Sequence, residues 1–454
     1  MSVTEMSYGR HARGLLALGV PLAGSQLAHA AVGLTDTIML GWYSVETLAA
    51  GVLATSFFFT LFVVGSGFSL AVMPMVASAN SANDPVQVRR ITRMGLWLSF
   101  LAASGLMPLM WWSEPILRLL GQDPEIAALA QDYLRIAGWS MFPALLVKVL
   151  QSYLAALERA QVILWITVLG GVGNALANWA LIFGNWGFPE LGIIGAAIAT
   201  LLNQCLMLAG LCLYAVRILP EHALFQRLWR PDWEAFQEVY RLGWPIGLTH
   251  LAESGLFTAA ALMMGWLGTL QLAAHGIAMQ ITSTAFMVHI GLSQAATVRA
   301  GQAYGLGDVT GLLRGGRMAF TLSLGMIGLT LMLFLGIPEL LVGLFLDPNE
   351  PNRAEIIQVG VGLMAIAALF QLADGTQVMA MGLLRGVQDT RTPMVMAALS
   401  YWVLGMPAGY VLGFWTPLEE IGVWAGLVAG LFCASALLLH RFWLHRAWYK
   451  RLPS

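Results

Sequence analysis

The sequence predicts an all-α polytopic membrane protein, with twelve transmembrane helices arranged as two pseudo-symmetric six-helix bundles. Composition, the spacing of apolar runs and an internal repeat predict it. Of 454 residues, 58% are hydrophobic and only 10% charged, with a mean hydropathy of +0.73. No soluble domain of this size has that balance. Apolar runs long enough to cross about 30 Å of hydrocarbon as helices recur along the whole chain. The second half repeats the first at a nearly constant offset.

The spans follow in order, each bounded by charge or by turn residues. The first, 14–40, begins after Arg10 and Arg13 and carries His29 and Asp36. Its basic flank and the Ala28-His29-Ala30 run resemble a secretory leader, but the apolar stretch continues past that point and eleven more spans follow. Span two is 47–79. Span three, 94–113, follows the basic cluster Arg89, Arg90 and Arg93. Span four, 133–157, contains Lys148, which either snorkels or faces the protein interior. Span five, 161–186, carries Asn174 and Asn178 one turn apart, and span six, 191–216, carries Thr200. Span seven, 242–266, has Glu253 near its middle, with His250 and Phe257 on the same face. Span eight is 270–298, with His275 and His289, which read as helix-packing groups. Span nine is 318–337. Span ten, 356–384, has Asp374 near its centre with Gln371 and Gln377 beside it. Spans eleven and twelve are 392–415 and 421–440. Gly and Pro are scattered through these runs, as membrane helices tolerate, and the alternation of a β-barrel is absent.

Orientation follows from the bases. With the N-terminus cytoplasmic, the inside segments hold 19 of 23 Lys and Arg, leaving Arg118, Arg135 and Arg353 outside and Lys148 within a span. The positive-inside rule then places both termini in the cytoplasm. Cys205, Cys212 and Cys433 lie in predicted helices, without metal or disulfide spacing, and read as small buried hydrophobes.

A shift of 224 residues aligns Pro21 with Pro245, Gly41-Trp42 with Gly265-Trp266, and Asp84, Arg90 and Arg93 with Asp308, Arg314 and Arg317. A shift of 230 places Gly192 on Gly422. The expected organisation is an N-terminal lobe over 1–216, a cytoplasmic linker over 217–241 and a C-terminal lobe over 242–454. Six spans return the chain to the same side, so the halves run parallel about an axis along the membrane normal, one of the repeat designs of secondary transporters. Substrate is expected between the halves near mid-membrane.

Asp36, Glu253 and Asp374 are the carboxylates this reading places inside the membrane, where an ionisable group is costly and marks function by default. A lone carboxylate in hydrocarbon becomes a proton carrier unless a cation or polar neighbours hold it ionised. The bland readings are an interfacial Asp36, Asn174 and Asn178 as interhelical glue, and acids that only bond neighbouring helices. The acids do not obey the repeat, because Glu253 aligns with His29, Asp36 with Ala260 and Asp374 with Ala144. The only lysines, Lys148 and Lys450, follow Val147 and Tyr449, so no Gly-Lys-Ser/Thr phosphate loop exists and ATP is excluded. An ion gradient remains as the energy source: one charge crossing 100 mV gains about 2.3 kcal/mol, roughly fiftyfold in concentration.

Three motifs carry a family resemblance. Thr35-Asp36-Thr37-Ile38-Met39-Leu40-Gly41, Gln302-Ala303-Tyr304-Gly305 and the run Leu384 to Pro393 (Leu-Arg-Gly-Val-Gln-Asp-Thr-Arg-Thr-Pro) resemble the multidrug and toxic compound extrusion (MATE) transporters, in the NorM-like branch, over essentially the whole chain. Glu158-Arg159-Ala160 departs from the family's Gly-containing turn. The resemblance implies the MATE fold and efflux of organic cations and other amphipathic drugs in exchange for Na⁺ or H⁺, with no other cofactor. It implies a site at Asp36, Asn174, Asn178 and Thr200 and a second at Glu253 and Asp374, either of which would hold Na⁺ or a proton. It further implies a monomer in a bacterial inner membrane, with small-molecule drugs and the lipid bilayer as partners and no nucleic acid. Two readings compete: a lipid-linked saccharide flippase of the same superfamily, which would carry more cavity bases than Lys148, and an intramembrane enzyme using His29 with Asp36 or His250 with Glu253.

Overall fold

The computed structural model describes residues 6–347, 351–446 and 448–449. Lys450, one of the cytoplasmic bases of the sequence reading, lies outside them. Twelve long helices follow in order among the described residues: α1 (Tyr8–Tyr43), α2 (Val45–Ser81), α3 (Pro85–Trp111), α4 (Pro124–Ala156), α5 (Ala160–Phe183), α6 (Ile193–Ile218), α7 (Trp233–Leu267), α8 (Thr269–Gly305), α9 (Val309–Gly336), α10 (Arg353–Gly386), α11 (Arg391–Phe414) and α12 (Glu419–His445). Eleven are both long and apolar enough to cross a membrane. The other, α8, has the length, 37 residues, but its buried polar side chains, among them His275, Thr282, His289, Ser293 and Thr297, lower its hydropathy. The helices outrun the apolar runs because helical hydrogen bonding continues where the side chains turn polar. Arg10 and Arg13 thus fall inside α1, and Arg89, Arg90 and Arg93 inside α3.

Three of the long helices are irregular among the described residues. A 3₁₀ turn at Gly138–Ser140 interrupts α4, a π segment at Ser400–Gly405 interrupts α11, and another at His440–His445 ends α12. Such π segments shift the side chains that follow around the helix and occur often at functional sites.

The chain forms two compact units, Gly24–Gly247 and Met1–Ala23 with Leu248–Ser454. In the first, α2 packs on α3 and α4, and α5 on α6; in the second, α10 packs on α8 and α12. Apolar transfer gives lipid-embedded helices little drive to associate, so close backbone approach has to supply contact. A Cβ on Gly67 of α2 would lie 2.4 Å from the Gly247 nitrogen of α7. In the other unit a Cβ on Gly291 of α8 would lie 2.3 Å from the Ala23 nitrogen of α1. Gly67 and Gly291 are repeat partners, as are Gly247 and Ala23, so both units use one crossing.

The turns repeat as well. Asn83 and Gly307 share a left-handed φ of 56° and 64°, and each is followed by an Asp that caps the next helix: Gln87 N–H donates to Asp84, and Gly311 N–H to Asp308. Glu158 (φ 61°) and Gln388 (φ 58°) form the corresponding pair after α4 and α10. The Glu158 departure from the family pattern thus keeps the same backbone turn. The Leu384–Pro393 motif is this α10–α11 turn. Its Asp389 accepts from Arg441 Nε at 2.7 Å and Nη2 at 3.1 Å, a buried two-point ion pair to the end of α12.

Candidate functional site

In the Gly24–Gly247 unit, α5 presents Asn174 and Asn178 from one face because they are one turn apart. Both side-chain amides donate to the same oxygen, Asp36 Oδ1, each at 2.5 Å. Bonds of this kind fix the carboxylate in place between α1 and α5. The interfacial reading of Asp36 therefore gives way to a bonded group between helices. Each Asn keeps a buried Oδ1 with no protein partner among the described residues. Thr200 on α6 likewise has a buried Oγ1 without a hydrogen bond of normal geometry. Tyr133 of α4, buried, brings its hydroxyl beside Thr200 and near Asp36. Orphaned buried acceptors are costly and rare. A carboxylate, two amide oxygens and a hydroxyl are the hard-oxygen donors that suit Na⁺, or they receive a proton.

His29 does not join this group. Seven residues before Asp36 on α1, it meets Gln151 of α4, ring nitrogen to amide nitrogen at 3.4 Å. The pairing of His29 with Asp36 needed for an enzyme is therefore not formed.

In the other unit, Glu253 of α7 and Asp374 of α10 approach within Coulombic reach of each other. Asp374 is buried, 2% exposed, and its Oδ1 has no partner. Gln371 and Gln377, one turn before and three residues after it, are buried too and leave further polar atoms unpaired. Glu253 Oε2 lies 3.6 Å from His250 Nδ1 on the preceding turn. His250 Nε2 in turn meets Arg385 Nη2 at 3.1 Å. Arg385 was sorted with the cytoplasmic loop charges, but its guanidinium turns into the helices toward Glu253. The π segment of α11 delivers Tyr401, fully buried, its hydroxyl unpaired, within electrostatic reach of Glu253, Asp374 and Arg385. His289 is also buried with both ring nitrogens unpaired and lies against α10 at Gly375. His275, by contrast, accepts from Trp424 Nε1 at 3.0 Å and serves packing.

The six residues singled out in sequence thus fall into two clusters, one in each unit. Sequence reasoning missed Tyr133, Tyr401 and the inward turn of Arg385. The signal for Arg385 was faint but present: it lies eleven residues, three helical turns, after Asp374 on the same helix. No group of three or more His, Cys, Asp or Glu able to hold a metal occurs among the described residues, so a bound cation would need amide and hydroxyl oxygens beside the carboxylates.

The MatE family model matches the chain twice, over residues 21–180 and 245–411, once in each half of the repeat. The chain is 47% identical over 445 residues to the probable multidrug resistance protein NorM of Rhizobium meliloti, covering 97% of this chain and 95% of that protein. A Synechocystis protein of the same description is 38% identical, covering 100% and 99%. Among solved structures, an outward-facing multidrug resistance MATE family transporter superposes with a TM-score of 0.87 at 20% identity, over 98% of this chain and 97% of that one. This likeness carries the fold.

Proposed function

The chain belongs to the MatE family, and from that premise we propose that it is a secondary active multidrug efflux transporter, exchanging organic cations and other amphipathic compounds for Na⁺ or H⁺. The function in its relatives' names supports this reading over an enzyme, and the absence of a phosphate loop supports an ion gradient over ATP as the energy source. The working parts are the repeat halves, 1–216 and 242–454, joined by 217–241, which alternate access across a bacterial inner membrane with both termini cytoplasmic.

The observation that carries the coupling is the acid pair of α7 and α10. Two carboxylates in Coulombic reach at low dielectric cannot both stay ionised without help. They accept one cation or one proton, and losing it restores the repulsion. Binding and release of that charge is therefore linked to which arrangement of the helices is favoured. The Asp36 group has different partners: two amides donate to one carboxylate oxygen, and the unpaired oxygens of Asn174, Asn178 and Thr200 are left to meet a cation or a proton.

Transport in proteoliposomes with Na⁺ and H⁺ gradients imposed separately tests the proposal. Glu253→Gln and Asp374→Asn are expected to abolish gradient-driven extrusion of ethidium-like cations while leaving the purified protein monodisperse. Wild-type rates in both variants would sink the coupling role.

A further inference from the structure

Neither acidic cluster uses the cavity that lies where α1 and α9 begin. It measures about 60 Å³, and the residues around it belong to the unit formed by Met1–Ala23 and Leu248–Ser454. The sequence leaves a gap there because α9 brings Gly311 and Gly315 to it and α8 brings Ala296 and Ala300. Leu15 and Leu383 supply apolar wall. Three polar side chains line it as well: His11 of α1 and, from the end of α8, Arg299 and Gln302. The imidazole lies against α9, where a Cβ on Gly315 would come 3.5 Å from His11 Nδ1. The guanidinium lies against α1, where a Cβ on Gly14 would come 3.5 Å from Arg299 Cζ, and Arg299 Nη1 donates to Gln302 Oε1 at 3.1 Å.

His11 is 2% exposed, yet its Nε2 has no hydrogen-bond partner among the described residues. A buried polar nitrogen left that way is costly until something completes it. Charge around the cavity is positive on balance. Arg299, Asp308 and Arg314 lie within Coulombic reach of His11, two guanidiniums against one carboxylate. Asp308 caps α9 by accepting from Gly311 N–H at 2.8 Å, and its Oδ2 is buried without a partner. Because α1 and α9 both start here, the positive ends of two helix dipoles add to the field. The donors converge from α1 and α8, a geometry that suits the three or four oxygens of a phosphate group better than the two of a carboxylate. The volume, about 60 Å³, is room for about four waters, close to the five heavy atoms of that group.

We propose that this cavity is a phosphate-binding site, distinct from both acidic clusters, which takes the phosphate of an anionic lipid headgroup or a free phosphate ion. Arg299 supplies the charge, the His11 imidazole supplies a nitrogen that gains its missing partner, and Gln302 holds the guanidinium in place. The phosphate bridges α1 to α8 beside the first turn of α9. By the positive-inside sorting these helix ends face the cytoplasm, where basic pockets between membrane helices meet anionic headgroups. The site goes beyond the efflux reading and does not depend on it.

The test is thermal unfolding of the purified full chain in non-ionic detergent, followed by tryptophan fluorescence. Inorganic phosphate and dihexanoyl phosphatidylglycerol are titrated separately, against sodium chloride of equal ionic strength. A ligand of the folded state raises the unfolding temperature, with a dependence on concentration that gives its affinity. A rise beyond that in chloride is expected with at least one probe, and the probe identifies the source: the lipid alone means a headgroup, whereas inorganic phosphate means a site reached from water. Arg299→Gln and His11→Phe should each weaken binding about tenfold or more, the loss expected of one charge-assisted bond. Gly315→Val keeps every charge and fills the cavity, and it should do the same. Arg13→Gln removes an exposed base of α1 outside the cavity and should change the affinity by no more than about twofold. No rise beyond chloride with either probe would overturn the site, as would a loss in Arg13→Gln equal to that in Arg299→Gln. Should Arg299→Gln fail to fold, Gly315→Val decides, because unchanged affinity in that variant would place the phosphate elsewhere.

Discussion

Breaking the Asp389–Arg441 pair should destabilise the protein more than losing either chemical group on its own would suggest. The two side chains are 4% and 9% exposed and meet through two bonds, at 2.7 and 3.1 Å. Arg441→Met leaves a buried carboxylate without a partner, and Asp389→Leu leaves a buried guanidinium. Each single change should cost about 3–5 kcal/mol, because the surviving charge keeps its desolvation penalty and loses its attraction. The double variant Asp389→Leu/Arg441→Met removes both charges and should return to within about 1–2 kcal/mol of the starting protein, since apolar replacement of a buried pair is often neutral. The assay is unfolding in mixed micelles by SDS titration, followed by tryptophan fluorescence, as a double-mutant cycle. A coupling energy below about 1 kcal/mol would refute the reasoning. It would mean that the α10–α11 turn is held by its backbone hydrogen bonds, such as Asp389 N–H to Leu384 C=O, and that the ion pair merely decorates it.

Three further outcomes follow from the geometry. Asn178→Leu removes one of two donors to Asp36, worth about 1.5–3 kcal/mol, together with an oxygen that could meet a cation, and should raise the half-saturating concentration for transport at least tenfold if Na⁺ is the coupling ion and lower it if H⁺ is; unchanged ion dependence in proteoliposomes would exclude the cluster from coupling. Gly67→Val and Gly291→Val place a side chain where a Cβ already meets backbone at 2.4 and 2.3 Å, so both should lower the monodisperse yield on size exclusion, whereas Gly105→Ala, with nothing within 4 Å, should not. Arg90 of α3 binds Asp232 through Nε at 2.5 Å and reaches Glu234 at 2.6 Å, tying down the segment before α7. The Arg90 hydrogen bonds hold the Asp232 carboxyl below the usual range. A depressed acid stabilises above its unfolded value and loses that effect only as pH falls through the folded one, so hydrogen exchange of residues 219–232, corrected for intrinsic rates, should be flat from pH 5 to 8 and faster throughout in Asp232→Asn.

The helices and the repeat were legible because both are one-dimensional signals. Apolar runs report burial in lipid irrespective of neighbours, and Asp84, Arg90 and Arg93 recur at a fixed offset in a chain with few charges. Asp36, Glu253 and Asp374 stood out for the same reason. The companions of these acids were only partly visible. Tyr133 and Tyr401 pass as apolar belt residues in any hydropathy count, and their hydroxyls matter only because α4 and the π segment of α11 aim them at carboxylates. Arg385 sits at a helix end, where the default is solvent, and only the packing of α7 against α10 gives it His250. His29 shared a face with Asp36 by helical periodicity, but a shared face over two turns leaves about 10 Å between side chains, and Gln151 took the contact.

The repeat separates what the backbone must do from what the charges do. Glu158 and Gln388 differ in charge, and neither is glycine, yet both adopt a left-handed φ near 60° at matched turns. Gly67 and Gly291 cross their neighbours at the same depth with different partners, Gly247 and Ala23. The scaffold is thus duplicated with little regard to side-chain identity. Inside it, the polar groups follow no such symmetry: Asp36 with amide donors and Lys148 with none of its own counter-ions in one unit, an acid pair with Arg385 and Tyr401 in the other. Symmetric backbone geometry permits both halves to rearrange alike. Under the proposed efflux function, asymmetric charge lets a cation and a substrate bias those rearrangements through different helices, and two ligands that bias one shared equilibrium are coupled without having to touch. In the proposed exchange of a drug for an ion the acids divided between the units do the coupling, and neutralising the one in the Gly24–Gly247 unit, as in Asp36→Asn, should leave the fold intact and uncouple the exchange.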